Sequence, residues 1–226
     1  MKFQEDGMRG LVVVLLAMAL HAARARLVPR SERENAEECE SRYLRFSPNH
    51  VMCKQNTGAC HLMVTGLADN DKEAILTAHN RYRNQIALGN TSGLPPASDM
   101  LEMEWDDELA VVAQAHANLC TTDFADMVSM NIEKFPFVGA RSYLTRTDSE
   151  NMNRYWDRYT RDLYEEAKNI SRPSPDAQVT TTADIGRLYH LASAQTWRVG
   201  CGFAKYLSQR RGRGLEKLYT CAYAPG

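Results

Sequence analysis

Apolar residues recur at three- and four-residue spacing in three stretches of the chain, and each stretch carries a signal for a helix end. In the first, Ile75, His79, Tyr82 and Ile86 share one face; Asn70 and Glu73 read as a capping signal before it and Gly89 as its stop. In the second, Asp106, Asp107 and Glu108 follow Trp105 and crowd a helix N-terminus, where the macrodipole favours anions. Leu109, Val112, Ala113, His116 and Cys120 then form the stripe. In the third, Thr147 and Glu150 read as a capping box ahead of Met152, Tyr155, Trp156, Tyr159 and Leu163. Glu166 continues that face, so it needs a cleft rim or a partner. A shorter fourth helix is expected over 184–193, and two strands over 197–206 and 216–223, separated by the turn-rich 209–214. Helices and strands are segregated rather than alternating, which predicts an α+β domain with an antiparallel sheet and not a doubly wound parallel one. No internal repeat is visible.

Ahead of these elements lies a single long apolar run, residues 11–20 (LVVVLLAMAL), with Lys2 and Arg9 before it and Ala22, Ala23 and Ala25 after it. Ten apolar residues are too short for a bilayer needing about 20, but suit a secretory signal, read here as residues 1–25 with cleavage after Ala22 or Ala25. Glu5 and Asp6 are unusual in such a leader, so initiation at Met8 or a retained anchor stays open. Residues 26–38 are polar and aperiodic and read as a linker. Residues 39–66 hold three cysteines among few apolar residues and read as an arm kept in place by cross-links, with the main domain over 67–226.

The six cysteines, at 39, 53, 60, 120, 201 and 221, are even in number in a chain read as bound for an oxidising compartment, so three disulfides are expected. Cys201 and Cys221 fall on the two expected strands, within reach across a hairpin. Closing a loop of about 20 residues contributes about 3 kcal/mol by the chain-entropy estimate. No Cys-x-x-Cys and no His-Glu-x-x-His occurs, which argues against structural zinc.

Composition is that of an ordinary globular domain, 44% hydrophobic and 24% charged. Outside residues 1–25 the chain carries 24 basic against 26 acidic side chains, so nothing steers it toward nucleic acid. There is no Gly-x-Ser-x-Gly elbow, phosphate loop or reactive-cysteine signature, and no positioned acid, base and nucleophile set. Arg210, Arg211 and Arg213, flanked by Lys205 and Lys217, form a basic hairpin tip that suits anionic glycans or a host surface, though a solvated turn is the plainer account. Asn90-Thr91-Ser92 and Asn169-Ile170-Ser171 are glycosylation sequons.

Five ordered motifs carry a resemblance: His79-Asn80-Arg81-Tyr82-Arg83, Leu94-Pro95-Pro96-Ala97, the segment from Met103 to Ala110, Val199-Gly200-Cys201-Gly202, and Cys221-Ala222-Tyr223-Ala224-Pro225-Gly226. With the cysteine positions, the chain from Cys39 onward resembles the antigen-5-type branch of the CAP superfamily, in the style of secreted arthropod members from saliva or venom. The resemblance implies an α-β-α sandwich, secretion, a large cleft, and the pairs Cys39 to Cys53, Cys60 to Cys120 and Cys201 to Cys221.

Many members of that family hold zinc or copper in the cleft with two histidines and two acidic residues, ligand types that suit both metals. Glu166 matches the second acid. Arg187 stands where a histidine belongs, Ala140 where the first acid belongs, and Asp126 is the nearest polar match to the first histidine. Arg is no metal ligand. A degenerate site is therefore expected, with Arg187 paired to Glu166; His190, one helical turn beyond Arg187, offers a rescue with Glu166 and Asp126. His79 and His116 read as satisfied core histidines.

Phe124, Met127, Val128, Met130, Ile132, Phe135 and Phe137 form an apolar, Met-containing segment where family members shape a cleft-side loop that takes sterol or other lipid. Core packing is the competing account. The expectation is a secreted, cofactor-free, non-enzymatic binding protein for a small hydrophobic ligand or a host protein, with no nucleic-acid partner and no stable membrane insertion after signal cleavage. The alternatives are a zinc- or copper-dependent hydrolase or redox-active metal binder using Glu166, His190 and Asp126, and a structural or reproductive-tract secretory protein with no small ligand.

Overall fold

A computed structural model describes residues 39–91, 96–147, 152–168, 190–209 and 214–226. The expected signal (1–25), the linker (26–38), most of the fourth helix, and Arg187, Asn169, Arg210, Arg211 and Arg213 lie outside the described residues.

The arm opens with α1 (Ser41–Leu44) and a single 3-10 turn (Val51–Cys53), then runs into β1 (Cys60–Thr65). There follow α2 (Asp71–Ala87), β2 (Glu104–Trp105), α3 (Asp107–Asn118), β3 (Gly139–Thr147), α4 (Trp156–Lys168), β4 (Arg198–Ser208) and β5 (Leu215–Ala224). The sheet runs β1-β4-β5-β3 with antiparallel neighbours, and β2 adds a short parallel pair beside the start of β4.

Strand alternation divides the core in two. Val199, Cys201 and Phe203 of β4 and Tyr219, Cys221 and Tyr223 of β5 face α2 and α4, where Ile75, Tyr82, Trp156, Tyr159 and Leu163 complete the cluster. The opposite face presents Ala204, Leu218, Ala222 and Ala224 to α3 and the arm. This is the expected α-β-α sandwich. Gly200 and Gly202 lie on the α3 side, and a Cβ on either would run into the backbone of α3 at Ala110 or Gln114. The helix axis therefore rests directly on the sheet. Gln114 secures it: its amide donates to the Phe203 carbonyl at 2.9 Å and accepts from the Phe203 N–H at 2.9 Å. The register of β1 slips between Leu62 and Val64, beside this point.

All three implied disulfides are present, Cys39–Cys53, Cys60–Cys120 and Cys201–Cys221. The last joins direct register partners of β4 and β5, and Cys60–Cys120 ties β1 to the end of α3, where Cys120 adopts φ 56°.

Helix ends follow local chemistry. Asp106 caps α3, its Oδ1 accepting from the amides of Glu108 and Leu109 at 3.1 Å each. Gly89 closes α2 with φ 73°, its N–H reaching Ile86 O and that of Asn90 reaching Gln85 O, both at 2.9 Å, the paired bonds of a Schellman end.

Several expectations are corrected. The Asn70 side chain makes no capping bond; Asp71 Oδ2 takes the Ala68 amide at 2.7 Å instead. Thr147 ends β3 rather than starting a helix, and α4 begins at Trp156, so Met152 and Tyr155 precede it and are exposed. Strands β1 and β3 carry too little apolar alternation to be read in advance; β3 is half-buried along its length. The arm has core anchors of its own, since Tyr43 and Val51 pack on Leu109 and Val112. Lys205 and Lys217, expected to flank the basic tip, are not solvated but buried beside residues 152–155.

The Gly202→Ala variant is expected to lose about 1–3 kcal/mol, because added volume against backbone has nowhere to relax. At about 2–4 °C per kcal/mol for a domain of this size, its thermal midpoint drops by several degrees in a circular-dichroism melt; an unchanged midpoint contradicts the contact with α3.

Candidate functional site

The loop between α3 and β3 carries the cleft-side apolar segment, and polar side chains hold it in shape. Asp126 is the first of these. Its Oδ2 accepts from Ser47 Oγ at 2.7 Å, its Oδ1 from the Val128 amide at 3.1 Å, and its carbonyl from Ser129 Oγ at 2.8 Å. Asn131 is the second: its Oδ1 accepts from the Val138 amide at 3.0 Å and its Nδ2 donates to the Pro136 carbonyl. His50 ties the arm to this loop. Its Nδ1 accepts from the Met52 amide at 3.2 Å, which leaves Nε2–H to donate to Asn131 O at 2.8 Å.

The seven apolar candidates then divide. Met130 and Ile132 are core residues, Phe135 packs against the same cluster, and Phe124 stacks on His116 with ring centroids 4.2 Å apart. Met127 is 93% exposed and Phe137 71%, with Val128 between the extremes at 37%. Phe124, Met127, Met130 and Phe137 line one cavity of about 570 Å³, whose far wall is the start of β3 (Gly139, Ala140, Arg141) and His190. The core reading thus holds for Met130 and Ile132, while Met127 and Phe137 stay exposed beside the cavity.

His190 lies flat on Tyr223, with centroids 5.3 Å apart and planes 5° from parallel, and its ring fills the space a Cβ on Gly139 would need. Burial, and then the nearby Arg141 guanidinium, push its pKa down to about 4. Behind it, Tyr223 O–H donates to His79 Nε2 at 3.0 Å, while His79 Nδ1–H donates to Ile75 O at 2.7 Å. His116 Nε2–H donates to Asp123 O at 3.2 Å, and its Nδ1 accepts from Thr220 Oγ1 at 3.2 Å. Burial brings both rings to a pKa of about 4. His79 and His116 are therefore the satisfied core histidines that their stripes implied.

The rescue metal set is brought together only in part. Asp126 and His190 both line the cavity, but the Asp126 carboxylate already serves Ser47 and Val128, and the Arg141 guanidinium stands near His190. Among the described residues no three His, Cys, Asp or Glu side chains converge on one point. Asp126 and His190, the described members of that set, do not by themselves make a metal centre. The Glu166 side chain and Arg187, and hence the salt bridge expected between them, lie outside the described residues. Arg141, Tyr223 and Ser47 were missed as site residues; only Tyr223 had a signal, its place in the final motif.

The family described as "CAP: Cysteine-rich secretory protein family" matches residues 76–223. The chain belongs to that family. It is 37% identical over 193 residues to "Venom allergen 5" of Tityus serrulatus, covering 83% of this chain and 45% of that protein. It is 32% identical over 192 residues to "CRISP/Allergen/PR-1" of Trittame loki, covering 83% and 46%. The chain spans about half the length of these relatives. Among solved structures, BmVAL-1 superposes with a TM-score of 0.56 at 19% identity, covering 71% of this chain and 79% of that one, a likeness of fold. The venom-allergen relatives place the chain in the antigen-5-like branch of the CAP superfamily. Among the described residues no helix of this CAP domain is long and apolar enough to cross a membrane. Asn90 is exposed just past α2, while Thr91 of its sequon is buried with Oγ1 2.9 Å from Tyr164 Oη.

The histidines set a pH dependence. Each of His79, His116 and His190 has a folded pKa near 4, below its ordinary value of 6.5, so the unfolded chain binds more protons between those limits. Their contribution is fully present above pH 6.5 and is lost as pH falls toward 4, by up to about 1.4 kcal/mol per histidine per pH unit. Denaturant unfolding at pH 7.0, 5.5 and 4.5 should show falling stability, with a shallower slope for His79→Gln; a flat profile contradicts the neutral buried rings.

Proposed function

We propose that this chain is a secreted, non-enzymatic binding protein that takes a small, largely apolar ligand of the lipid class into the cavity between the 124–137 loop and the start of β3. The observation that carries the reading is the exposure of Met127 and Phe137 at the mouth of a cavity of about 570 Å³. That volume lies in the range of small-molecule sites, about 300–1,000 Å³. Large apolar side chains held in water by a loop pinned through Asp126, Asn131 and His50 gain free energy when a ligand covers them. Methionine suits such a mouth because its flexible thioether adapts to varied apolar shapes. The ring of His190 and the polar atoms of Arg141 supply the opposite, polar wall, so an apolar body with a polar end fits better than a pure hydrocarbon.

Secretion rests on the apolar run at 11–20, on six cysteines all paired, and on the venom-allergen relatives. The hydrolase and redox-metal readings draw no support from the engaged Asp126 carboxylate or from Arg141 beside His190. A host-protein surface is the second reading, favoured by the same two exposed side chains.

Delipidated protein from eukaryotic secretion is expected to take up a fluorescent fatty acid saturably and without change on adding chelator. Phe137→Asp and Met127→Asp should each weaken uptake about ten-fold, roughly the 1.4 kcal/mol set by one buried apolar contact. Their melts should be unchanged, because both side chains are exposed. Absence of saturable uptake sinks the lipid reading and leaves the host-protein surface.

A further inference from the structure

Past Phe203 and Tyr219, the face of the sheet under residues 152–155 carries two cations where a core pair is expected. Lys205 of β4 and Lys217 of β5 are register partners on adjacent strands, 2% and 3% exposed. Like charges directly opposite one another repel, and burial removes the water that would soften the repulsion.

Among the described residues no carboxylate pairs with either lysine. Lys217 Nζ donates to Asn153 O at 2.8 Å and sits 5.5 Å from the Tyr155 ring centroid, while Lys205 Nζ lies 3.8 Å from Met152 Sδ. Among the described residues the nearby acids are engaged: Asp71 with Arg154 at 2.7 Å, Glu216 with Arg146 at 3.5 Å and Asp162 with Arg158 at 3.9 Å. Burial, then Lys205, then Arg154, lower the Lys217 pKa.

A cavity of about 140 Å³ opens at Lys217, walled by Arg146, Arg158, Tyr143, Tyr155 and Tyr219, and among the described residues no carboxylate lines it. It is far smaller than the roughly 300 Å³ at which sites for whole small molecules begin, so it selects a group rather than a body. We propose that this cavity is a binding site for one tetrahedral oxyanion, sulfate or phosphate, free or as the ester group of a small molecule. Lys217 supplies a point charge at its wall. Arg158, 59% exposed and 3.9 Å from Asp162, supplies a guanidinium fork that matches the oxygens of such an anion, while the Arg146 side chain pairs with its register partner Glu216 on the other face of the sheet. The tyrosine hydroxyls add neutral donors. The anion supplies a counter-charge that the Lys205–Lys217 pair does not find among the described residues. This site is independent of the apolar cavity beside His190.

Titration calorimetry with sodium sulfate and with sodium phosphate, at pH 7 and chloride-balanced ionic strength, is expected to show one saturable site with Kd of about 1 mM or tighter. Arg158→Gln and Lys217→Met should each weaken binding about ten-fold, as loss of one charge-assisted contact implies. Competition by glucose 6-phosphate or glucosamine 6-sulfate identifies an ester as the ligand, and competition by the inorganic ions alone a free anion. Should Lys217→Met not fold, Arg158→Gln carries the test, since its side chain is exposed. No saturable binding up to about 10 mM, or affinity unchanged in Arg158→Gln, overturns the site.

Discussion

The rest of the structure hangs on the closeness of α3 to the β4–β5 pair. Gly200 and Gly202 remove the side chains that would hold the helix away, so its backbone reaches the sheet and Gln114 bonds the strand at Phe203. The other face of the same strands has the reverse character: Cys201–Cys221, Phe203, Tyr219 and Tyr223 meet α2 and α4 with bulk. One strand pair thus presents a flat surface to a single helix and a rough one to two helices. That asymmetry sets the layer order and fixes where the start of β3, next to Tyr223, stands for the cavity.

Buried polar groups then act as fasteners between distant segments. Arg83, 2% exposed, donates to Leu101 O, Leu191 O and Ser193 O, joining α2 to two loops. His79 joins α2 to Tyr223, His116 joins α3 to Thr220, and His50 joins the arm to the 124–137 loop. Each ring bridges a donor and an acceptor, which needs the neutral imidazole. The fold is thereby made sensitive to acid through its fasteners and not through surface ion pairs, most of which are exposed and worth little.

The cavity follows from the same economy of contacts. Met130 and Ile132 are drawn into the core with Leu109 and Val138, while Asp126 and Asn131 bend the chain so that Met127 and Phe137 are left outside. A loop shaped by hydrogen bonds can hold apolar side chains in water because its conformation does not depend on burying them. The lysine pair is the polar counterpart of that arrangement, charge retained inside the sheet where apolar residues would pack more cheaply.

Sequence alone determined much of this protein. Helical stripes beginning at Ile75 and Leu109, the cap at Asp106, the stop at Gly89 and the strand pair holding Cys201 and Cys221 were legible because each depends on residues a few positions apart, and the ordered motifs pointed to the family, the sandwich and the disulfide pairs. The tertiary structure decided the rest. Strand β3 is invisible to periodicity because its partner β5 supplies its reason to be extended. Thr147 and Glu150 spell a capping box, yet pairing of Thr147 with Leu215 outweighs that local signal. Whether Asp126 is a ligand or a loop brace turned on Ser47, 79 residues away, and whether Lys205 and Lys217 are solvated or buried turned on the segment that covers them. Side-chain roles of that kind are set by neighbours brought together only by the fold, and no local spacing encodes them.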